Sequence, residues 1–391
     1  MDRTGGGRPL TLTSPERDAL RAVLVGTTRR ADAGRETEAD RRALERWVRV
    51  APMDRLPEAA VLHRVVGAVH RGLEGVDGVR PDVRAQLDAI CARTRLRQLI
   101  FLGALSEIAD ALDTAALPWA VMKGPVLAVH LYPDTADRVY GDLDLLVPRR
   151  CFPEAVRILE DLGFRHDVHN WARAEEQLAG EITMRTDTVV VDLHWNLHYD
   201  RAARKPFDLR PEEMLDRTRE VSLGALSVAT FDPTDTLIAL CFHAARSDGH
   251  RLIWFKDIER SLSVDHPDLD ETVRRSRSFR IAPLVGLMLA RTRRILGAPV
   301  PDEVIASLAS PALLLAERRV CALVDPIQFH EDGTFARLFT RSIRPTDSAT
   351  LGAIPARAAQ LLERKLFPPR ENETDDEAEK ESYFRAVVGS T

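Results

Sequence analysis

Apolar positions recur at helical intervals over roughly the first 115 residues. Ser14-Pro15-Glu16 predicts an N-cap, a proline at the first helical position and an acid in the first turn, followed by the apolar stripe Leu20, Val23, Leu24. Residues 30–45 are charged and alanine-rich, a solvated helix or linker. Leu56 to Leu73 and Val83 to Leu112 resume the helical spacing, the latter with Leu99, Leu102, Leu105, Ile108 and Leu112 in one stripe. The pattern predicts an N-terminal helical region over 1–115 that packs on something else.

The period changes at Leu117. PWAVMK is short, apolar and bounded by Gly124, which predicts a buried strand, and GPVLAVHLY follows as a short helix. DTADRVYG is a polar loop, DLDLLVP a strand stopped by Pro148, and Phe152 to Leu162 an amphipathic helix closed by Gly163. Phe164 to Val168 is a further strand. Glu181 to Arg185 and Thr188 to His194 form a hairpin turning at Thr186-Asp187. The order β-α-β-α-β-β-β is an α/β unit with a mixed sheet, placed at 116–231. Helical spacing returns at Asp232, where Asp232-Pro233-Thr234-Asp235 opens a helix, and continues through TLIALCFHAAR, LIWFKDIERSL, Ile281 to Leu296 and Pro311 to Val324. That gives a C-terminal helical region over 232–368. Residues 371–381 (ENETDDEAEKE) have no apolar face, so 369–391 reads as an acidic, disordered tail. The whole is an α+β fold: a small mixed sheet flanked by helical regions.

Composition narrows the function classes. The 391 residues suffice for two or three packed modules. No apolar run approaches the roughly 18–20 residues of a bilayer crossing, and the start MDRTGGGRPLTLTSPERD lacks a signal-peptide core. The expectation is neither a secreted nor a membrane protein. Cys91, Cys151, Cys241 and Cys321 lie far apart, which argues against a disulfide framework or a cysteine zinc site and fits a reducing cytoplasm. A net charge of −5 argues against nucleic acid as a partner. Of 55 Lys+Arg residues only five are lysines, at 123, 205, 256, 365 and 380. A compact ammonium differs from a guanidinium fork, so the choice of lysine is informative.

The chemistry concentrates in Gly141-Asp142-Leu143-Asp144-Leu145-Leu146-Val147. Asp142 and Asp144 at i and i+2 of a strand project to one face, roughly 6–7 Å apart along the backbone. Two like charges there repel unless a cation lies between them, and Mg²⁺ suits carboxylate and phosphate oxygens. Upstream, Lys123-Gly124-Pro125 ends a strand and begins a helix. Gly124 lets backbone approach a ligand, helix N-terminal amides attract phosphate, and Lys123 could reach phosphate oxygens or simply lie in solvent. Arg138, four residues before Asp142, is either a second phosphate contact or one arginine among many. Asp192 interrupts the β-branched run Val189-Val190-Val191, where an acid is unfavourable unless paired or metal-bound. His194 lies on the face of Asp192 by alternation, as a hydrogen-bonded core histidine or as a ligand or catalyst.

Together these residues resemble a known family. Lys123-Gly124-Pro125-Val126-Leu127, Leu131-Tyr132-Pro133-Asp134, Arg138 to Val147 and Asp192-Leu193-His194-Trp195 look like the motifs of the uncharacterised nucleotidyltransferase family of the DNA polymerase β-like superfamily. Leu240-Cys241-Phe242-His243-Ala244-Ala245 and Phe255-Lys256-Asp257-Ile258 look like its helical half, and the resemblance covers roughly 50 to 330. Lys-Gly stands where the wider superfamily has Gly-Ser. The resemblance implies that Asp142, Asp144 and Asp192 hold two Mg²⁺ ions, that Lys123, Gly124 and Arg138 contact an NTP such as ATP, and that Asp192 helps deprotonate the acceptor. It implies in-line transfer of a nucleotidyl group with pyrophosphate leaving. Family members occur beside peptide natural-product pathways, which suggests a small-molecule or peptide acceptor.

Three other classes compete. A haloacid-dehalogenase-type phosphatase also uses Asp-x-Asp, but its acids end the first strand and are followed by Thr or Val where this chain has Leu146. His194-x-x-x-His198 has the spacing of two zinc ligands on a helix, yet a strand would set them some 13 Å apart. A non-catalytic binding protein on the same scaffold is the alternative reading, against which the intact set of three acids counts.

Overall fold

The structure, a computed structural model, describes residues 12–31, 37–247, 249–323, 325, 327, 329, 334–366 and 376–389. Its architecture is α+β. The first helix, Ser14–Arg30, is capped one residue earlier than the Ser-Pro-Glu signal suggests. Glu16 accepts from both the backbone N–H (2.8 Å) and the hydroxyl (2.7 Å) of Thr13, the reciprocal arrangement of a capping box. The alanine-rich stretch becomes a helix over Glu38–Val50, and residues 32–36 of it lie outside the described residues. The run from Leu56 to Leu73 is two short helices, Leu56–Leu62 and Val66–Gly72. Pro81–Thr114 is one helix of 34 residues. On it Leu105, Ile108 and Leu112 are buried as the stripe predicts, but Leu99 is 65 % exposed.

Five strands form the main sheet: β1 (Ala120–Val121), β2 (Leu143–Leu146), β3 (Arg165–His166), β4 (Glu181–Arg185) and β5 (Val190–His194). Their spatial order is β1-β2-β5-β4-β3, and β2 and β5 are the parallel pair in an otherwise antiparallel sheet. The crossover from β2 to β5 carries the helix Phe152–Asp161 and the β3–β4 excursion, so two strands 48 positions apart in the chain become neighbours. Leu143, Leu145 and Leu146 of β2 and Val191 and Leu193 of β5 are fully buried and fix this pair in the core. A second hairpin, β6 (Thr218–Leu223) and β7 (Leu226–Phe231), was not expected from the pattern. It turns at Gly224, whose φ of +74° suits glycine, and anchors to β1 through a 2.7 Å bond from the Thr230 hydroxyl to the Val121 carbonyl.

The helical half begins as expected, with Asp232 accepting from the Asp235 N–H at 2.6 Å to cap Pro233–Arg246. Among the described residues no helix is long and apolar enough to cross a membrane. The acidic tail is corrected in its described part. Glu377–Gly389 is a helix whose Tyr383, Phe384 and Val387 are buried, the two aromatic rings against Phe152 and Trp171. Tyr383 donates to the Ala179 carbonyl at 2.7 Å, and Lys380 pairs with Glu160 at 2.9 Å. The apolar face was missed because it starts where the acidic run ends. Residues 367–375 and 390–391 lie outside the described residues.

Candidate active site

Strand register decides which side chains meet. β2 and β5 set Asp144 opposite Asp192, while β4 sets Thr183 opposite Asp192 and Glu181 opposite His194. Partners across adjacent strands, and residues two apart on one strand, project to the same face. Asp142, Asp144, Asp192, His194, Glu181 and Thr183 therefore share it. All but Thr183 line a cavity of about 220 Å³, walled opposite by Ala239, His243 and Arg246 of the helix Pro233–Arg246 and by Leu197 to Tyr199. Lys123 lines it too, from the end of β1.

The charges in this cavity are arranged in layers. Lys123 Nζ lies 2.8 Å from Asp144 Oδ1, and His194 Nε2 is 3.4 Å from the same oxygen. The other ring nitrogen of His194, Nδ1, is 3.0 Å from Glu181 Oε2. Burial alone would lower the imidazole's pKa, but Glu181 and Asp144 on its two sides raise it to about 10, so it is an imidazolium near neutrality. Burial works against ionisation of Asp144, yet Lys123 and His194 hold its carboxyl far below the usual carboxylate range. Lys123 likewise has its pKa raised, burial being outweighed by Asp144. His243 stays neutral: burial and then the Lys123 ammonium, whose Nζ is 3.4 Å from His243 Nδ1, push its pKa well down.

The remaining two acids are less compensated. Burial, then the neighbouring Asp144, raises the pKa of Asp142, which has no hydrogen-bond or ion-pair partner among the described residues. Asp192 accepts from the Thr183 hydroxyl at 2.6 Å, and burial, then Asp142, Glu181 and Asp144, push its carboxyl up to about 6. An all-oxygen set of carboxylates that repel one another, Asp144 buried and Asp142 and Asp192 half-buried, is the donor chemistry that suits a hard divalent cation. As the side chains stand, no group of three or more His, Cys, Asp or Glu among the described residues is arranged to hold an ion. Asp144 is engaged by Lys123 and His194, and Asp192 by Thr183.

Gly124 has φ +63° and ψ −122°, and a Cβ there would meet the Asp142 carbonyl oxygen at 3.3 Å. Its freedom serves the turn that packs the β1 end against the carboxylate strand, ahead of a helix of only six residues. Of the expected site residues, Gly124 and Arg138 do not line the cavity. The Arg138 guanidinium is buried on Asp257, Nε to Oδ1 at 3.0 Å and Nη2 to Oδ2 at 3.1 Å, and donates to the Gly124 carbonyl at 3.2 Å. Tyr132 donates to the same carboxylate at 2.7 Å. The arginine thus ties the Gly124 turn to the helix Leu252–Arg260.

Glu181, Thr183 and Arg246 were not singled out from sequence. Alternation along the β4–β5 hairpin places Glu181 and Thr183 on the face of Asp192, so that signal was available. For Arg246 there was none, because its position depends on how a distant helix packs. A family model described as an uncharacterised nucleotidyltransferase matches residues 51–297. Among curated proteins, none matches the chain.

Proposed function

Because the chain belongs to the uncharacterised nucleotidyltransferase family, we propose that it transfers a nucleotidyl group from an NTP, in the first instance ATP, to a small-molecule or peptide acceptor with the help of Mg²⁺. The observation that supports this reading is the convergence of Asp142, Asp144 and Asp192 on one cavity that also holds Lys123. Mg²⁺ held by Asp142, Asp144 and Asp192 would neutralise charge on the transferring phosphoryl group. Asp192, aimed by the Thr183 hydroxyl, would accept the proton of the acceptor nucleophile. The acceptor oxygen bonds to the α-phosphorus as the bond to the pyrophosphate oxygen breaks in line. Lys123 offers its ammonium to a phosphate oxygen, and His194 keeps Glu181 and Asp144 in place. The helix Pro233–Arg246 walls the cavity opposite the sheet and would limit water around these charges.

The test is incubation of the protein with each NTP, Mg²⁺ and a panel of hydroxyl-, phosphate- and peptide-bearing acceptors, following pyrophosphate and product mass. Mg²⁺-dependent pyrophosphate release with a nucleotidylated product supports the reading. Nucleotide binding without any release across the panel would favour a binding protein on this scaffold.

A further inference from the structure

The cavity is acidic on its sheet side but not on its helical side. Arg246 lines it from the last turn of Pro233–Arg246 and is 7 % exposed. A guanidinium carries five N–H donors. Here Nε has no partner among the described residues, and Nη1 reaches only the Arg341 carbonyl, at 3.4 Å, the limit of a hydrogen bond. The charges nearest to it are mainly of its own sign. Burial, then Arg357, Arg344 and Arg341, lower its pKa to about 10, with Asp200 the opposing acid. Arg344 turns its own guanidinium onto the carbonyls of Arg341 and Ile343, both at 2.9 Å, and does not relieve Arg246. A buried charge with unspent donors among like charges is costly unless an anion completes it.

A second donor stands beside it. His198 lines the same wall, and its Nδ1 accepts the Asp200 backbone N–H at 3.0 Å, which leaves the ring proton on Nε2. Burial, then Arg246, lowers its pKa to about 4, so near neutrality it is an uncharged donor. His198 lies four residues past the end of β5, and among the sheet-side acids Glu181 acts on it. Lys123 touches His243, a full helical turn before Arg246. The cationic wall therefore stands about one helical turn away from Lys123, toward Glu181.

We propose that Arg246, with His198, seats an anionic group, phosphate or carboxylate, carried by the acceptor. Only the assignment of that anion to the acceptor rests on the nucleotidyl-transfer reading; the anion seat does not.

Calorimetric titration of inorganic phosphate into the full chain in EDTA tests the seat without turnover. Saturable binding is expected for the wild type, weakened at least tenfold by Arg246→Gln and less by Arg246→Lys, as for a lost charge-assisted bond. Should Arg246→Gln melt at the working temperature, His198→Gln, expected to weaken binding severalfold, gives the readout. Repeating the titration with saturating Mg²⁺ and a non-hydrolysable ATP analogue separates the sources. Phosphate binding that persists beside the nucleotide supports an acceptor anion, and mutual exclusion would give the seat to the triphosphate and overturn the assignment. No phosphate binding by the wild type, or equal binding by the folded variants, would overturn the seat itself. Absence of pyrophosphate release would count against nucleotidyl transfer and leave the phosphate result standing.

Discussion

Arg138→Met tests whether the arginine beside the carboxylate strand holds nucleotide or holds the fold. Both members of the Arg138–Asp257 pair are buried, 7 % and 2 % exposed, and the guanidinium makes a two-pronged contact at 3.0 and 3.1 Å. Replacing it with methionine keeps most of the side-chain volume but leaves the Asp257 carboxylate buried with the Tyr132 hydroxyl as its remaining donor at 2.7 Å. Stranding one member of a buried ion pair costs about 3–5 kcal/mol. Loss of the 3.2 Å bond to the Gly124 carbonyl adds roughly 1 kcal/mol and slackens the turn that carries Lys123. Urea unfolding followed by circular dichroism should therefore show a midpoint far below wild type at unchanged slope. Removing the second charge as well, in Arg138→Met with Asp257→Leu, should recover much of the loss, because a well-packed apolar pair is often as stable as a buried ion pair. A single variant within about 1 kcal/mol of wild type but with a raised KM for NTP would refute the structural role and return Arg138 to the phosphate.

The other predictions concern the cavity. Asp142→Asn and Asp144→Asn should both abolish Mg²⁺-dependent pyrophosphate release yet differ in thermal melts. Asp142→Asn removes an unpartnered like charge and should melt no lower than wild type, whereas Asp144→Asn strips Lys123 and His194 of their shared anion and should cost about 3–5 kcal/mol; identical melts would contradict the layered charges. Asp192→Asn should lower kcat by roughly 100-fold or more at near-normal nucleotide affinity, measured by single turnover and calorimetry. It should also stabilise the fold: the folded carboxyl near 6 lies above its ordinary 3.8, so ionised Asp192 destabilises at pH 7.5 by up to about 2–3 kcal/mol. That gain fades as pH falls through 6 and is gone below 3.8, so a gain independent of pH in urea titrations would count against the burial argument. The His194 pKa near 10 gives a stabilisation present in full below pH 6.5 and lost as pH rises through 10; imidazole resonances in labelled protein should therefore remain those of an imidazolium at pH 8, and a neutral ring there would exclude the Glu181–His194–Asp144 bridge.

Local alternation carried more of this site than its rarity in the sequence suggests. Asp142 and Asp144 on one face, Asp192 within a β-branched run and the β4–β5 hairpin all follow from a period of two along short segments, and the strands do form there. The same rule placed His194 beside Asp192, though it could not say that the ring would bridge Glu181 and Asp144. Leu99 shows the limit of the helical rule, since spacing marks a stripe but not where the partner surface ends, and this leucine lies beyond it.

By itself the sequence determined the five strands of the main sheet, most of the helices and which acids share a strand face, because these are contacts within a few residues; the β6–β7 hairpin and the tail helix escaped it. Tertiary structure decided the rest. The adjacency of β2 and β5, which turns Asp142, Asp144 and Asp192 into one constellation, depends on a crossover whose direction no local pattern contains. Arg138 found its carboxylate 119 residues away, the tail helix its aromatic seat on Phe152 and Trp171, and Arg246 its cavity, each by packing of distant apolar faces. Backbone propensity and alternation are short-range and written in order along the chain. Burial and charge pairing are set by whichever surfaces come together, and their partners can sit anywhere in it.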